Sequence, residues 1–390
     1  MVSKVGERVY FLDYVKTIII VLIVAHHASL AYSLSQGYGH NYVYSAAQIL
    51  DKNKLFIFDY FESFNDIYFM PLMFLVSGFF VMKSLKKKGA MSYMSSRFNR
   101  LLVPFIFSIT ILMPLSYYPV GLLKNSNLTL MEYVSKDYIM NFYRVPGPIW
   151  FLLALFMFDL IAAMAYKLCP KAVNNLLGKI ENTGKINFLL TFLSTTTLVF
   201  FLSYIFIPSD NVAAMSKLGP IWFQKKRSLL YFCFFAFGFL AGGTKKFSNL
   251  VTRDNHFLVD TWLFRIIISI MLFGLFRYYR EFMAKSQPDY LSDFLYCTLF
   301  VFLAAMVSSA WIATVGKFAN RKSRFLSSLS EQSFGIFIFH FIIIVWMQYL
   351  LVNIKLGASQ KFYIVFSLSL FSSWLITLVL KRIPVVKRFL

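Results

Sequence analysis

The stretch Asp13-Tyr-Val-Lys16-Thr-Ile-Ile-Ile-Val-Leu-Ile-Val-Ala-His26-His27 decides how this chain is read. It is the core of an apolar segment over 13–34, and a helix needs about 20 such residues to cross a bilayer. Ionisable groups inside a span are costly, so they mark function by default. Lys16 and His27 are eleven residues apart. At about 100° per residue that is just over three turns, so the two share one face, roughly 16 Å apart along the axis. His26 is turned away from that stripe. Asp13, three residues before Lys16, can pair with it. A cation near one end of a helix, with a titratable base deeper on the same face, suits chemistry performed inside a membrane.

The rest of the composition agrees. The 390 residues are 58% hydrophobic and 14% charged, with a mean hydropathy of +0.64. Soluble domains sit near about 45–50% apolar and about 25% charged. The chain is read as an all-α, polytopic integral membrane protein. No linker or composition shift divides it, so residues 1–390 form one membrane domain. Lys4 and Arg8 before the first apolar run, and Ser29-Leu-Ala31 after it, imitate a cleaved leader. Asp13 and Lys16 interrupt that pattern, and the run is expected to stay as a span.

About ten transmembrane helices are expected, over 13–34, 64–83, 101–122, 148–166, 187–207, 228–243, 257–277, 293–315, 333–351 and 362–380. The sixth is the shortest. With the N-terminus inside, the inner segments carry 23 Lys and Arg and the outer ones 14. That bias puts both termini in the cytosol. A net charge of +22 would suggest nucleic acid in a soluble protein. Here it marks topology, and a basic inner face that attracts anionic lipids or an anionic cofactor. Membrane lipids are expected partners and nucleic acid is not. Cys169, Cys233 and Cys297 have no metal or redox spacing. They are read as packing residues, and no metal is expected. Asn127-Leu-Thr matches a glycosylation sequon.

Three further motifs carry candidate chemistry. Arg97-Phe-Asn-Arg100 follows the basic connector Lys83–Gly89 and opens a span. One α-helical turn apart, its two guanidiniums could bind phosphates together, where plain topology charge explains the lysines. Gly147-Pro-Ile-Trp150 is a turn leading into a helix, and Trp150 is either an interfacial anchor or a site residue. Ser333-Phe-Gly-Ile-Phe-Ile-Phe-His340 sets a second histidine about 10 Å into the ninth span. Asp159, Asp260 and Arg265 are further buried-charge candidates with no partner evident in the sequence.

Taken together, these stretches resemble the acyltransferase-3 family, which includes polysaccharide O-acetyltransferases and glucan-modifying succinyl transferases. The resemblance rests on Phe11 to Lys16 through His26-His27, Phe74-Leu-Val-Ser-Gly78, Arg97 to Pro104, Pro148-Ile-Trp150, and Ser333 through His340. It implies transfer of an acyl group, often acetyl, from cytosolic acyl-CoA to a hydroxyl of a carbohydrate or glycolipid acceptor. A bacterial cytoplasmic (inner) membrane location goes with it. The family's catalytic histidine falls on His27, with His26 beside it. Its paired arginines fall on Arg97 and Arg100. Its helix-one arginine falls on Lys16, a departure that keeps the charge and loses the bidentate fork. His27 would act as a general base or carry the acyl group as an acyl-imidazole. The competing class is a proton-coupled transporter or flippase-like carrier, which buried His, Asp and Arg also suit. A catalytically inactive sensor on the same scaffold is a third.

Overall fold

A computed structural model describes residues 10–34, 49–139, 146–208, 215–218, 221–248, 256–283, 289–319 and 323–390. Apolar length organises it. Ten long helices follow one another: α1 (Tyr10–Ser29), α2 (Phe56–Phe79), α3 (Ala90–Lys124), α4 (Trp150–Leu168), α5 (Lys185–Phe206), α6 (Lys225–Gly243), α7 (Trp262–Tyr278), α8 (Tyr290–Phe318), α9 (Arg324–Leu351) and α10 (Ala358–Leu380). The chain is an all-α polytopic membrane protein. Its described strands are one short hairpin before α6, β1 (Met215–Leu218) against β2 (Ile221–Gln224), with Met215 opposite Gln224.

Among the described residues, nine helices are long and apolar enough to cross a membrane, and α6 falls short. Its first three residues are Lys225-Lys-Arg227 and it contains Gly238, Gly242 and Gly243. It is helical all the same, because its stability comes from packing against α2. A methyl group on Gly78 would collide with the carbonyl of Phe235, one on Gly238 with that of Leu75, and one on Gly242 with that of Phe79. Small residues let two backbones approach closely, and dispersion then replaces the absent hydrophobic drive. Arg227, expected to be a loop charge, is folded inward: it donates to Asp66 at 2.7 Å and its guanidinium lies 5.0 Å from the centre of the Phe300 ring.

Helix α3 is not uniformly α-helical. It widens into π-turns over Phe98–Leu102 and Ser108–Leu112, where Val103 N–H bonds Phe98 O and Met113 N–H bonds Ser108 O. Each wide turn is followed within two residues by a proline, Pro104 and Pro114. Proline has no N–H for the regular ladder, and shifting the register by one residue re-pairs the freed carbonyls.

Helices α1 and α9 run parallel at a constant offset. Tyr14 Oη meets Ser327 Oγ at 2.9 Å, and the His27 and His340 rings sit 5.4 Å apart. Helix α10 returns antiparallel to α9: Lys361 Nζ donates to Val352 O beside the short connection, and Gly335 abuts Thr377 farther from it. Lys381, just past α10, donates to the Glu331 carbonyl. The first described residues and the last therefore lie at one end of the bundle, here called the Lys16 end. The opposite end is the His27 end.

Candidate functional site

At the Lys16 end half-buried charges gather around the fully buried Asp159. Lys16 Nζ stands 4.6 Å from the centre of the Phe80 ring, a cation–π contact. It lies within electrostatic reach of Asp13, Arg97 and Asp159. Arg97 Nε pairs with Asp159 Oδ2 at 3.1 Å, where the Arg97 side chain is 24% exposed and that of Asp159 is 0% exposed. Tyr93 donates to the other Asp159 oxygen at 2.6 Å, and Arg97 covers the Tyr93 ring at 5.0 Å. Asp159 is thus the counter-charge that fixes Arg97. Tyr93 and Arg97 stand four residues apart on α3, as helical spacing allows, but no spacing rule links them to Asp159 on α4.

Arg100 behaves differently from Arg97. The spacing implied a shared face, but that assumed an α-helical turn. The π-turn over Phe98–Leu102 is wider and rotates Arg100 away, leaving it exposed within reach of Lys381. The two guanidiniums share one mouth of the bundle and not one immediate partner.

At the other end three imidazoles gather. His26 and His27 meet edge to face at 5.5 Å, and His27 faces His340 at 5.4 Å. His26 packs on Phe69 at 5.7 Å and His27 on Phe341 at 5.6 Å. His340 is fully buried, with Nδ1 2.8 Å from Phe337 O and 3.2 Å from Ile336 O. Carbonyls only accept, so Nδ1 carries the proton and Nε2 keeps a lone pair. That Nε2, and Nδ1 of both His26 and His27, are buried with no hydrogen-bond partner among the described residues. Unpaired buried polar atoms are rare and need a reason, and a site awaiting a ligand supplies one.

The shell around the histidines comes from residues no motif pointed to. Gln348 Nε2 donates to the carbonyls of His27 and Ala28, both at 3.3 Å, and so holds the end of α1. Ser29 donates to Glu62 at 2.9 Å. Between the two ends, Ile20, Ile23 and Val24 are buried, so the Lys16–His27 stripe is apolar and packed along its middle.

The remaining candidates separate clearly. Trp150 is 7% exposed and packs against Tyr231 at 5.9 Å and Phe74 at 6.5 Å; it is a core residue and not a belt anchor. The same motif reaches the site through Gly147: at φ +56°, a methyl there would stand 3.2 Å from the Phe341 ring that flanks His27. Ser333 donates to its own helix at Ser330 O, about two turns from His340, and is not brought to the histidines. Asp13 lies beside Lys16, and its carbonyl accepts from Thr17 at 2.8 Å. Asp260 is not buried; it pairs with Lys317 at 3.3 Å on the surface. Arg265 donates to Thr261 and Ser309. Cys169 is exposed, against the expectation of packing, while Cys297 is buried and Cys233 half-buried. Asn127 is exposed.

A family model, Acyl_transf_3, described as an acyltransferase domain, matches residues 9–378. No curated protein and no solved structure matches the chain.

Proposed function

A chain matched by that model over nearly its whole length belongs to the acyltransferase-3 family and is a membrane acyltransferase; from that premise we propose that it moves an acyl group, acetyl in the simplest case, from acyl-CoA to a sugar or glycan hydroxyl. The donor's phosphates are held at the Lys16 end, which faces the cytosol of a bacterial inner membrane. The acceptor comes to the His27 end. The single observation that carries this reading is the placing of unpartnered imidazoles at one end of the helix that carries Lys16 at the other. Coenzyme A has its charge at one end and its thioester at the tip of a long thin arm, and the path of roughly 16 Å along α1 suits that shape.

Lys16 and Arg100 offer charge to the phosphates, and Arg97, fixed by Asp159, offers a guanidinium already oriented. The pantetheine arm passes between α1 and its neighbours, so the packed side chains of Ile20, Ile23 and Val24 move aside for it. In the base route, His27 takes the proton of the acceptor hydroxyl and the oxygen attacks the thioester carbonyl. The C–S bond breaks and the imidazolium returns its proton to the leaving thiolate. His340, with its Nδ1 proton fixed on the backbone, keeps an unprotonated Nε2 on a ring 5.4 Å from that of His27. The acyl-imidazole route uses the same atoms in two steps.

The test uses purified protein, acetyl-CoA and a thiol reagent. Wild type is expected to release coenzyme A thiol, faster with acceptor present. His27→Ala is expected to lose about 10²–10⁴-fold in rate at unchanged folded yield. Wild type that releases no thiol from any acyl-CoA, or His27→Ala at wild-type turnover, overturns the reading.

A further inference from the structure

Outer-end loops of a membrane protein are usually poor in lysine, yet three lysines border one groove at the His27 end. The groove is open to the surface, with a volume of about 580 Å³, and Lys52, Lys54 and Lys355 are among the residues that form it. One wall is hydrogen-bonded to the chain just past α1 and the other continues α9, the two helices that carry the histidines. Asp51 N–H bonds Ala31 O and Leu55 N–H bonds Tyr32 O, both at 2.9 Å, so segment 49–55 is tied to the chain four and five residues past His27. The other wall follows α9, whose Gln348 holds the His27 carbonyl. Asn53 Nδ2 clamps the two walls together through Leu356 O at 2.8 Å.

The charge balance there is one-sided. Asp51 is neutralised: it forms a buried pair with Lys361 at 2.6 Å, with side chains 3% and 1% exposed. Asp59 turns to the Leu34 N–H at 3.1 Å, Glu62 accepts from Ser29, and Asp66 holds Arg227. Residues 35–48, outside the described part, contain no Asp or Glu. Among the described residues none of the three groove lysines has an ion-pair partner, and Lys52 and Lys355 are exposed. Helices α2 and α10 also begin at this groove, at Phe56 and Ala358, and add the positive ends of two helix dipoles.

We propose that this groove binds an anionic acceptor, a glycan bearing phosphate or carboxylate groups, and so delivers its hydroxyls to His27. The inference rests on the reading that the acceptor arrives at the His27 end. Anionic groups along the acceptor would meet Lys52, Lys54 and Lys355, while the neutral hydroxyl to be acylated projects inward past Tyr32. A buried Asp51–Lys361 pair beneath fixes the floor without contributing net charge.

The test measures binding with no acyl donor present, so its outcome is separate from turnover. Fluorescently labelled glycerol-phosphate oligomer, oligogalacturonate and neutral dextran oligomer are titrated against purified full-length protein. At least one anionic oligomer is expected to bind at low salt, and dextran about tenfold more weakly or not at all. Affinity should fall as salt rises, as for exposed charges. The Lys52→Gln/Lys54→Gln/Lys355→Gln variant is expected to weaken anion binding about tenfold, as the loss of two exposed charges and one half-buried charge implies, and Lys355→Glu alone by several-fold. None of the three is buried and none has an ion-pair partner among the described residues, so folding should hold, and a monodisperse elution profile checks it. Which anion binds tells phosphate from carboxylate acceptors. Equal affinity for dextran and both anions, or a triple variant that binds like wild type, overturns the proposal. If wild type binds an anion yet releases no thiol from acyl-CoA, the enzymatic reading fails and the anion site stands.

Discussion

Removing Asp159 should expose how the Lys16 end is built. Its carboxylate has two partners, Arg97 at 3.1 Å and Tyr93 at 2.6 Å. Breaking a buried ion pair from one side costs about 3–5 kcal/mol, and stranding a buried hydroxyl about 1–3 kcal/mol. These do not simply add. Arg97 is 24% exposed, so water takes over part of what Asp159 supplied. We expect about 3 kcal/mol for Asp159→Ala and about 2 kcal/mol for Asp159→Asn, whose amide oxygen still accepts from Tyr93. Arg97→Ala should cost more than either, about 4 kcal/mol, because it leaves a carboxylate with no exposure at all. Arg97→Ala/Asp159→Leu should recover part of that loss, which a double-mutant cycle reads directly. Thermal unfolding in detergent gives the ranking. The functional arm compares two donors. Asp159→Asn lets Arg97 swing freely, so KM should rise for acetyl-CoA and stay unchanged for acetyl-pantetheine, which lacks the nucleotide phosphates. If Arg97→Ala unfolds no earlier than Asp159→Ala, the pair is not what holds this end. If both donors lose equally, Asp159 does not act through the phosphates.

Three further outcomes follow from the same structure. Lys16→Arg should keep or improve activity, since Arg binds phosphate at least as well, whereas Lys16→Met should raise donor KM. A silent Met variant removes Lys16 from the donor site, and lost folded yield at intact KM points to its neighbour Asp13 instead. Gly238→Val places branched atoms against the Leu75 carbonyl and should collapse the yield of folded protein, read by size-exclusion chromatography; a normal yield would mean that α2 and α6 do not meet as described. Asp51→Ala should destabilise by about 3–5 kcal/mol by stranding the buried Lys361 ammonium, while Asp51→Leu/Lys361→Met should return much of it; equal stability of single and double variants would show that the pair is not desolvated.

Much of the fold was legible because apolar length is a direct physical requirement for crossing a bilayer. All ten expected segments are helical, and nine of the described helices are long and apolar enough to cross a membrane; the sixth falls short for a specific cause. Its glycines lower apolarity while letting it approach α2, and a linear scan sees the first effect and not the second. The relative placing of Lys16 and His27 was equally legible, since both belong to one helix and their separation follows from the helical repeat. His340 was found as a motif, but its meeting with His27 depends on the parallel pairing of α1 and α9. Where spacing misled, the helix was irregular: Arg97 and Arg100 part because proline forces a π-turn between them. The partners of Asp159, the role of Gln348 and the burial of Trp150 all arise from contacts between distant helices, and no local pattern encodes them.

The apolar middle of the Lys16–His27 stripe has a consequence for the cell that owns the membrane. An enzyme that takes its donor from one side and its acceptor from the other is, in outline, a hole. Protons would run through any continuous file of water between a charged mouth and a set of imidazoles. Ile20, Ile23 and Val24, closed against their neighbours, interrupt that file with a layer that cannot hydrogen-bond. The layer need part only for a slender arm that fills the gap it opens. Under the proposed function the carrier of the acyl group is also the gasket, and the membrane potential survives each turnover.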